Sequence, residues 1–270
     1  MLKRSRYAIA VTIALAVGVA LVARPDAQAP TYKAPRTFDG KPDLNGIWQA
    51  LGEAHWDLQA HAAQQGPIQF GAMFSVPPGL GVVEGNGIPY LPAAAAKKKE
   101  NYQKRLTDDP EVKCYLPGIP RATYMPYPFQ IVQTPSNILM AYQYAGARRV
   151  IPIGKPIKEA PVDTWMGTPF ARWEGETLVV DVAGFNGQTW LDRAGNFASE
   201  ALHVVERFTR TGPDTLRYEA TLEDPKVFSR PWKISMPLYR RLDRNMQLLE
   251  YKCPEFTEKL LWGHLEKKTK

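Results

Sequence analysis

Between Tyr127 and Lys252 the chain is a succession of short, apolar-rich runs separated by turn chemistry, without intervening helices. The runs are Phe129–Gln133, Ile138–Tyr144, Arg148–Ile153, Thr168–Trp173, Thr177–Val182, Leu202–Arg210, Thr215–Leu222, Trp232–Arg240 and Gln247–Lys252. The joints include Thr134-Pro135-Ser136-Asn137, Glu174-Gly175-Glu176 and Thr211-Gly212-Pro213-Asp214, which are hairpin sequences. Strands that follow one another without crossover helices pair antiparallel with their chain neighbours. Leu44–Leu51 adds one more run. A sheet of that size curls, and closing it removes its exposed edges. The predicted fold is therefore mainly β, an antiparallel meander closed into a barrel of about 8–10 strands.

The remaining segments decorate that wall. Gly52 to Pro92 is long and rich in turns, with Pro77-Pro78-Gly79 and Glu84-Gly85-Asn86-Gly87, and reads as an ordered functional loop or a loose insertion. Within it Glu53–Gln64 could form a short helix. Ala93–Leu106 reads as a second helix, because Ala and Lys are good helix formers and Pro92 suits the first position. Its Lys97-Lys98-Lys99 run is a solvated face. After Cys253, Pro254–Lys267 places Phe256, Leu260, Leu261, His264 and Leu265 on one side of a C-terminal helix. Residues 43–270 thus read as a single barrel domain with a loop and helix insertion at 52–126, preceded by an extended leader at 30–42.

Residues 1–29 read as a signal peptide or N-terminal anchor: a basic start, an apolar run from Tyr7 to Ala23, and the small-residue stretch Ala27-Gln28-Ala29. The expected location is periplasmic or secreted, with membrane contact only through that segment if it stays uncleaved. Of the formal charge of +7, the first 29 residues carry +3, so the rest carries a mild +4 that does not imply nucleic-acid binding. Two cysteines, Cys114 and Cys253, in an oxidising compartment invite a disulfide. It would close a loop of roughly 140 residues, worth about 4–5 kcal/mol on the chain-entropy model. The other reading is two buried thiols. Neither cysteine has metal-ligand spacing, and no metal is expected.

Gly46-Ile47-Trp48, at the start of the first strand, resembles the Gly-x-Trp signature of lipocalin and calycin barrels. That resemblance implies that Trp48 plugs one end of the barrel under a late-strand arginine, Arg217 or Arg240 here, and that a helix follows the strands. A second resemblance covers most of the chain after the leader. Pro42-Asp43-Leu44-Asn45-Gly46-Ile47-Trp48, Cys114-Tyr115-Leu116-Pro117-Gly118-Ile119-Pro120-Arg121, Arg172-Trp173-Glu174-Gly175-Glu176-Thr177-Leu178-Val179-Val180-Asp181 and Leu202-His203-Val204-Val205-Glu206-Arg207-Phe208 are similar to a family of uncharacterised secreted bacterial proteins. It implies export, one domain and the Cys114–Cys253 pairing. Where that family has Cys-His-Glu-Gly-Asn, this chain reads Cys253-Pro254-Glu255-Phe256-Thr257 and lacks the histidine.

Candidate chemistry starts at Leu202-His203-Val204-Val205-Glu206-Arg207-Phe208. Strand alternation puts Glu206 on the apolar face with Leu202, Val204 and Phe208, as an interior acid or base or as half of a buried ion pair. His203 falls on the opposite face with Val205 and Arg207. Asp181, whose facing the pattern leaves open, would complete an acid–base pair if it entered the same cavity as Glu206. Tyr127, Phe129, Trp165 and Trp173, with His55 and Arg207, are candidate ligand contacts. The alternative for the aromatics is plain core packing. His55-Trp56-Asp57 could line a cavity mouth or simply pack within its loop. No Gly-x-Ser-x-Gly elbow, Walker loop, HExxH or dinucleotide fingerprint occurs, and no cofactor is implied. The function expected is a barrel that binds a small hydrophobic or aromatic molecule. Alternatives are a cofactor-free acid–base enzyme (hydratase, lyase or isomerase) built on Glu206, and an envelope interaction module.

Overall fold

A computed structural model describes residues 32–68, 74–85, 87–154 and 162–251. Its body is the compact unit from Lys33 onward. Nine strands form one antiparallel meander: β1 Gly46–Gln49, β2 Phe129–Gln133, β3 Asn137–Tyr142, β4 Arg148–Pro152, β5 Thr168–Glu174, β6 Thr177–Ala183, β7 His203–Gly212, β8 Thr215–Glu223 and β9 Trp232–Arg240. Their order across the sheet is β4-β3-β2-β1-β9-β8-β7-β6-β5. β1 joins the two halves, pairing with β2 on one side and β9 on the other. The end strands come together where Gly154 N donates to Ala171 O at 2.9 Å, beside a parallel bridge from Ile153 to Ala171, so the sheet is nearly closed into a barrel.

Alternation decides what lies inside. Along β7 every second residue (Val204, Glu206, Phe208, Arg210) is buried, and along β8 Leu216, Tyr218, Ala220 and Leu222 are. Trp48, Phe129, Met140, Tyr142, Ile234 and Leu238 complete the same core. Rings meet within it, Phe208 to Tyr218 at 5.0 Å and Phe129 to Tyr142 at 5.3 Å.

The Gly-x-Trp element has a physical explanation. Trp48 is fully buried, and its Nε1 donates to Leu44 O at 3.0 Å. The Arg240 guanidinium lies over its ring, 4.6 Å from the centroid. Gly46 has φ +141°, and a Cβ there would stand 2.9 Å from Arg240 Nη1. Glycine at that position is what lets the arginine reach the indole. Of the two candidate arginines, Arg240 fills the role, whereas Arg217 is exposed and sits 3.3 Å from Glu219.

Among the described residues three α-helices accompany the sheet: α1 Pro92–Gln103, α2 Arg105–Asp108 and α3 Arg121–Tyr124. The helix expected over Ala93–Leu106 is therefore present but breaks at Lys104. Other expectations need correction. Glu53–Gln64 is not a helix; Trp56 N and Asp57 N bond to Glu53 O in a turn, and His61 and Gln64 then pair with Gly79 and Val76 in a short ribbon. Gln247–Tyr251 adds no strand, because β9 already has β8 and β1 on its two edges. The segment crosses the surface instead, Leu249 N bonding to the Gln143 side chain at 3.1 Å. The leader is not simply extended either: Arg36 and Pro42 bridge around a turn, and Arg36 reaches Glu176 at 2.5 Å. The signal segment, the helix expected at Pro254–Lys267, and Cys253 with its pairing to Cys114 lie outside the described residues. No helix among the described residues is long and apolar enough to cross a membrane.

Candidate functional site

The interior carboxylate is held, not poised. Glu206 receives two N–H bonds from Arg149, Nη1 to Oε2 at 2.5 Å and Nη2 to Oε1 at 3.1 Å, and a third bond from Tyr218 OH at 2.9 Å. Both charged side chains are almost wholly buried. Two ions this deep are tolerable only when each satisfies the other, and here three donors meet the two carboxylate oxygens. This is the ion-pair alternative for Glu206. Asp181 and His203 sit on the outer face of the wall, with His203 Nε2 2.6 Å from Asp181 Oδ1 and Arg172 Nη1 3.9 Å from Asp181 Oδ2. Asp181 is opposite Val205, and Val180 is opposite Glu206, so the wall separates the two carboxylates.

The proposed ligand contacts are likewise dispersed. Phe129 is core, and Trp165 meets Tyr115 at 5.2 Å. Trp173 packs partly buried against the core. Arg207 pairs outside with Glu174 at 2.8 Å. Tyr127 lines an open hollow of about 480 Å³ with Gln49, Gln143 and Arg241. His55 is buried beside Trp56, their rings 5.5 Å apart.

A different place gathers chemistry. A cavity of about 370 Å³ opens outside the barrel, and none of its lining residues belongs to a strand of the wall. Three distant stretches build most of it, and Tyr251 adds to the wall. The first is the turn and ribbon from Glu53 to Gln64 and its partner strand through Val76. Leu58 anchors that ribbon in the core, and Gly79 permits its close pairing, since a Cβ there would fall 2.4 Å from His61 Cε1. The second is α1 and α2 with the loop after them, docked by buried Asn101, whose Nδ2 donates to Gly195 O at 3.2 Å. The third is the loop around Asp192 and Arg193. Trp56, Phe74, Val76, Tyr102, Leu106, Val112 and Tyr251 give the cavity apolar and aromatic walls, and Asp57, Arg105, Asp109, Glu111 and Arg193 give it charge.

The charges under one side form a closed network. Buried Arg121, from α3, holds Asp109 at 2.7 and 2.9 Å and Glu111 Oε2 at 2.7 Å. Arg193 grips the same Glu111 from the other side at 2.8 and 2.5 Å, and lies over the Trp56 ring at 4.3 Å. Burial alone would raise the Glu111 carboxyl; the Arg193 hydrogen bonds and the charges of Arg121 and Arg193 outweigh it and hold it at about 2. Burial, reinforced by the nearby Arg193 charge, lowers His55 to about 4, so its ring is neutral at pH 7.

A second cluster lies behind Asp57. Asp192 is wholly buried and accepts from Leu58 N at 2.9 Å, Ala194 N at 2.9 Å, Asn196 N at 3.1 Å and Asn196 Nδ2 at 2.5 Å. The same Asn196 amide reaches Asp57 Oδ1 at 3.3 Å, and Tyr90 OH donates to Asn196 Oδ1 at 2.9 Å. Burial first and the Asp57 charge second push Asp192 up to about 7, against the pull of its donors. Asp57 lines the cavity. The arrangement can therefore present one carboxylate to a ligand and keep a second, proton-holding one behind it.

Of His55-Trp56-Asp57, Trp56 and Asp57 line the cavity, while His55 is buried beside Trp56. The sequence carries no site signal at Tyr102, Arg105, Glu111, Asp192 or Tyr251: the first four lie in helix, turn and bend segments with no motif spacing, and Tyr251 sits in a run that reads as a strand. Among the described residues no three His, Cys, Asp or Glu side chains group as metal ligands. Neither a protein-family model nor a curated protein matches the chain.

Proposed function

We propose that this protein is an exported binding protein for a small molecule with an aromatic or hydrophobic body, taken up in the cleft outside the barrel. The observation that carries this reading is the cavity of about 370 Å³ with aromatic walls and a few converging polar groups. The barrel is its scaffold, and the long insertion is the functional part. The basic, apolar amino terminus supports export, and a Cys114–Cys253 disulfide belongs with that reading. Intact mass measured before and after reduction, with thiol blocking, reports that bond.

Native mass spectrometry of the protein from its own host tests ligand carriage. The expected result is a small organic mass bound to the wild type and absent from a folded Leu106→Trp variant, whose indole would fill the cleft. Bare protein under gentle conditions, or a mass retained equally by the variant, would remove the support for this site.

One observation favours a second reading, a cofactor-free acid–base enzyme. Asp57 faces the cleft, and Asp192, which burial and the Asp57 charge push up to about 7, shares the Asn196 side-chain amide with it from behind. In that case Asp57 is the catalytic residue and Asp192 a positioning residue, in place of Glu206. Turnover of a ligand identified by mass spectrometry, abolished in Asp57→Asn with ligand affinity kept, would support it.

A further inference from the structure

The cations around the cleft are not equivalent. Arg121 and Arg193 are bound to Asp109 and Glu111. Arg105 lines the same cavity, its guanidinium lies 4.2 Å from the Tyr102 ring centre, and Nη1 donates to Tyr102 O at 2.8 Å. No carboxylate among the described residues pairs with it. Stacking on Tyr102 holds the planar fork in place, and most of its N–H donors remain for whatever enters the cleft.

We propose that the ligand of this cleft is an organic acid: an aromatic or hydrophobic body bearing one carboxylate that pairs with Arg105. The inference rests on the cleft being the ligand site. A guanidinium fork matches a carboxylate in shape as well as charge. A cationic ligand fits less well, because Arg193 and Arg105 already sit over the Trp56 and Tyr102 rings and would repel a further cation beside them. Of the carboxylates lining the cavity, Asp109 and Glu111 are neutralised by their arginines. Asp57 accepts from Gln59 N and Asn196 Nδ2 and has no arginine on it among the described residues, which disfavours a second acid group at its end and suits a hydroxyl there.

The test is calorimetric titration of the full chain with three probes that share one ring system: 2-naphthoate, 2-naphthylmethanol and 2-naphthylmethylamine. The acid is expected to bind at least about tenfold tighter than the alcohol, with the amine weakest, since a charge-assisted bond is worth about that factor or more. In Arg105→Gln the acid should fall to the affinity of the alcohol, whose own binding stays unchanged; Arg105→Lys should keep part of the preference. Equal binding of acid and alcohol, tightest binding of the amine, or an unaltered preference in Arg105→Gln would overturn the acid assignment while leaving the cleft as a binding site. Failure of all three probes to bind would overturn the cleft reading and this inference with it.

Discussion

Arg149 and Glu206 meet inside the barrel through two parallel N–H···O bonds, 2.5 and 3.1 Å long, with Tyr218 completing the shell. Replacing one partner strands the other as a buried charge. Glu206→Gln should therefore cost about 3–5 kcal/mol in urea unfolding at pH 7. The double variant Glu206→Met with Arg149→Met should regain much of that loss. A cost under about 1 kcal/mol for the single change would mean the pair does not organise the interior.

Gly46 and Arg240 make a second prediction. Gly46→Ala places a methyl group 2.9 Å from Arg240 Nη1 at a backbone φ of +141°. The guanidinium must leave the Trp48 ring, at a cost of about 1–3 kcal/mol from strain and the lost contact. Trp48→Ala, which empties a fully buried site, should cost about 3–5 kcal/mol. Chemical denaturation of both variants checks the order.

His55 sets a pH dependence. Its pKa is about 4 in the folded chain against 6.5 ordinarily, so between those values the unfolded chain binds more protons. The corresponding stability is complete above about 6.5 and is lost as pH falls toward 4, about 3 kcal/mol in all. Asp192 works in the opposite sense: its pKa is raised to about 7, so its contribution is present at low pH and lost as pH rises through 7. His55→Asn should remove the first slope and leave stability that declines with rising pH from 4 to 7. Unfolding free energies measured across that range would show it.

The Asp192 carboxyl itself should titrate near 7 by carbon-detected NMR, and lower in Asp57→Asn, where the neighbouring charge is gone. An unchanged titration in that variant would mean burial alone sets the value.

Much of the barrel was legible because strand alternation is a local signal. Phe129–Gln133 and Trp232–Arg240 match their runs residue for residue, and Glu206 lies on the inner face that the alternation of β7 dictates. Gly46-Ile47-Trp48 pointed to an arginine over the indole, and Arg240 is there. The cleft was not legible, because its contacts are long-range: Asp192 holds Leu58 across 134 positions, and Arg193 holds Glu111 across 82. Nothing periodic in Tyr102, Arg105 or Glu111 announces such partners. Glu53–Gln64 misled for a related reason: its backbone pairs with Val76 and Gly79, a tertiary choice that overrides local preference.

Methyl NMR of the full chain during titration with 2-naphthoate addresses the location of the ligand most directly. Binding in the cleft should shift the methyl signals of Val76, Leu106 and Val112 and leave those of Ile131, Val180 and Leu238 inside the wall unmoved. Shifts concentrated on the inner set, with the cleft methyls still, would contradict a binding site outside the barrel.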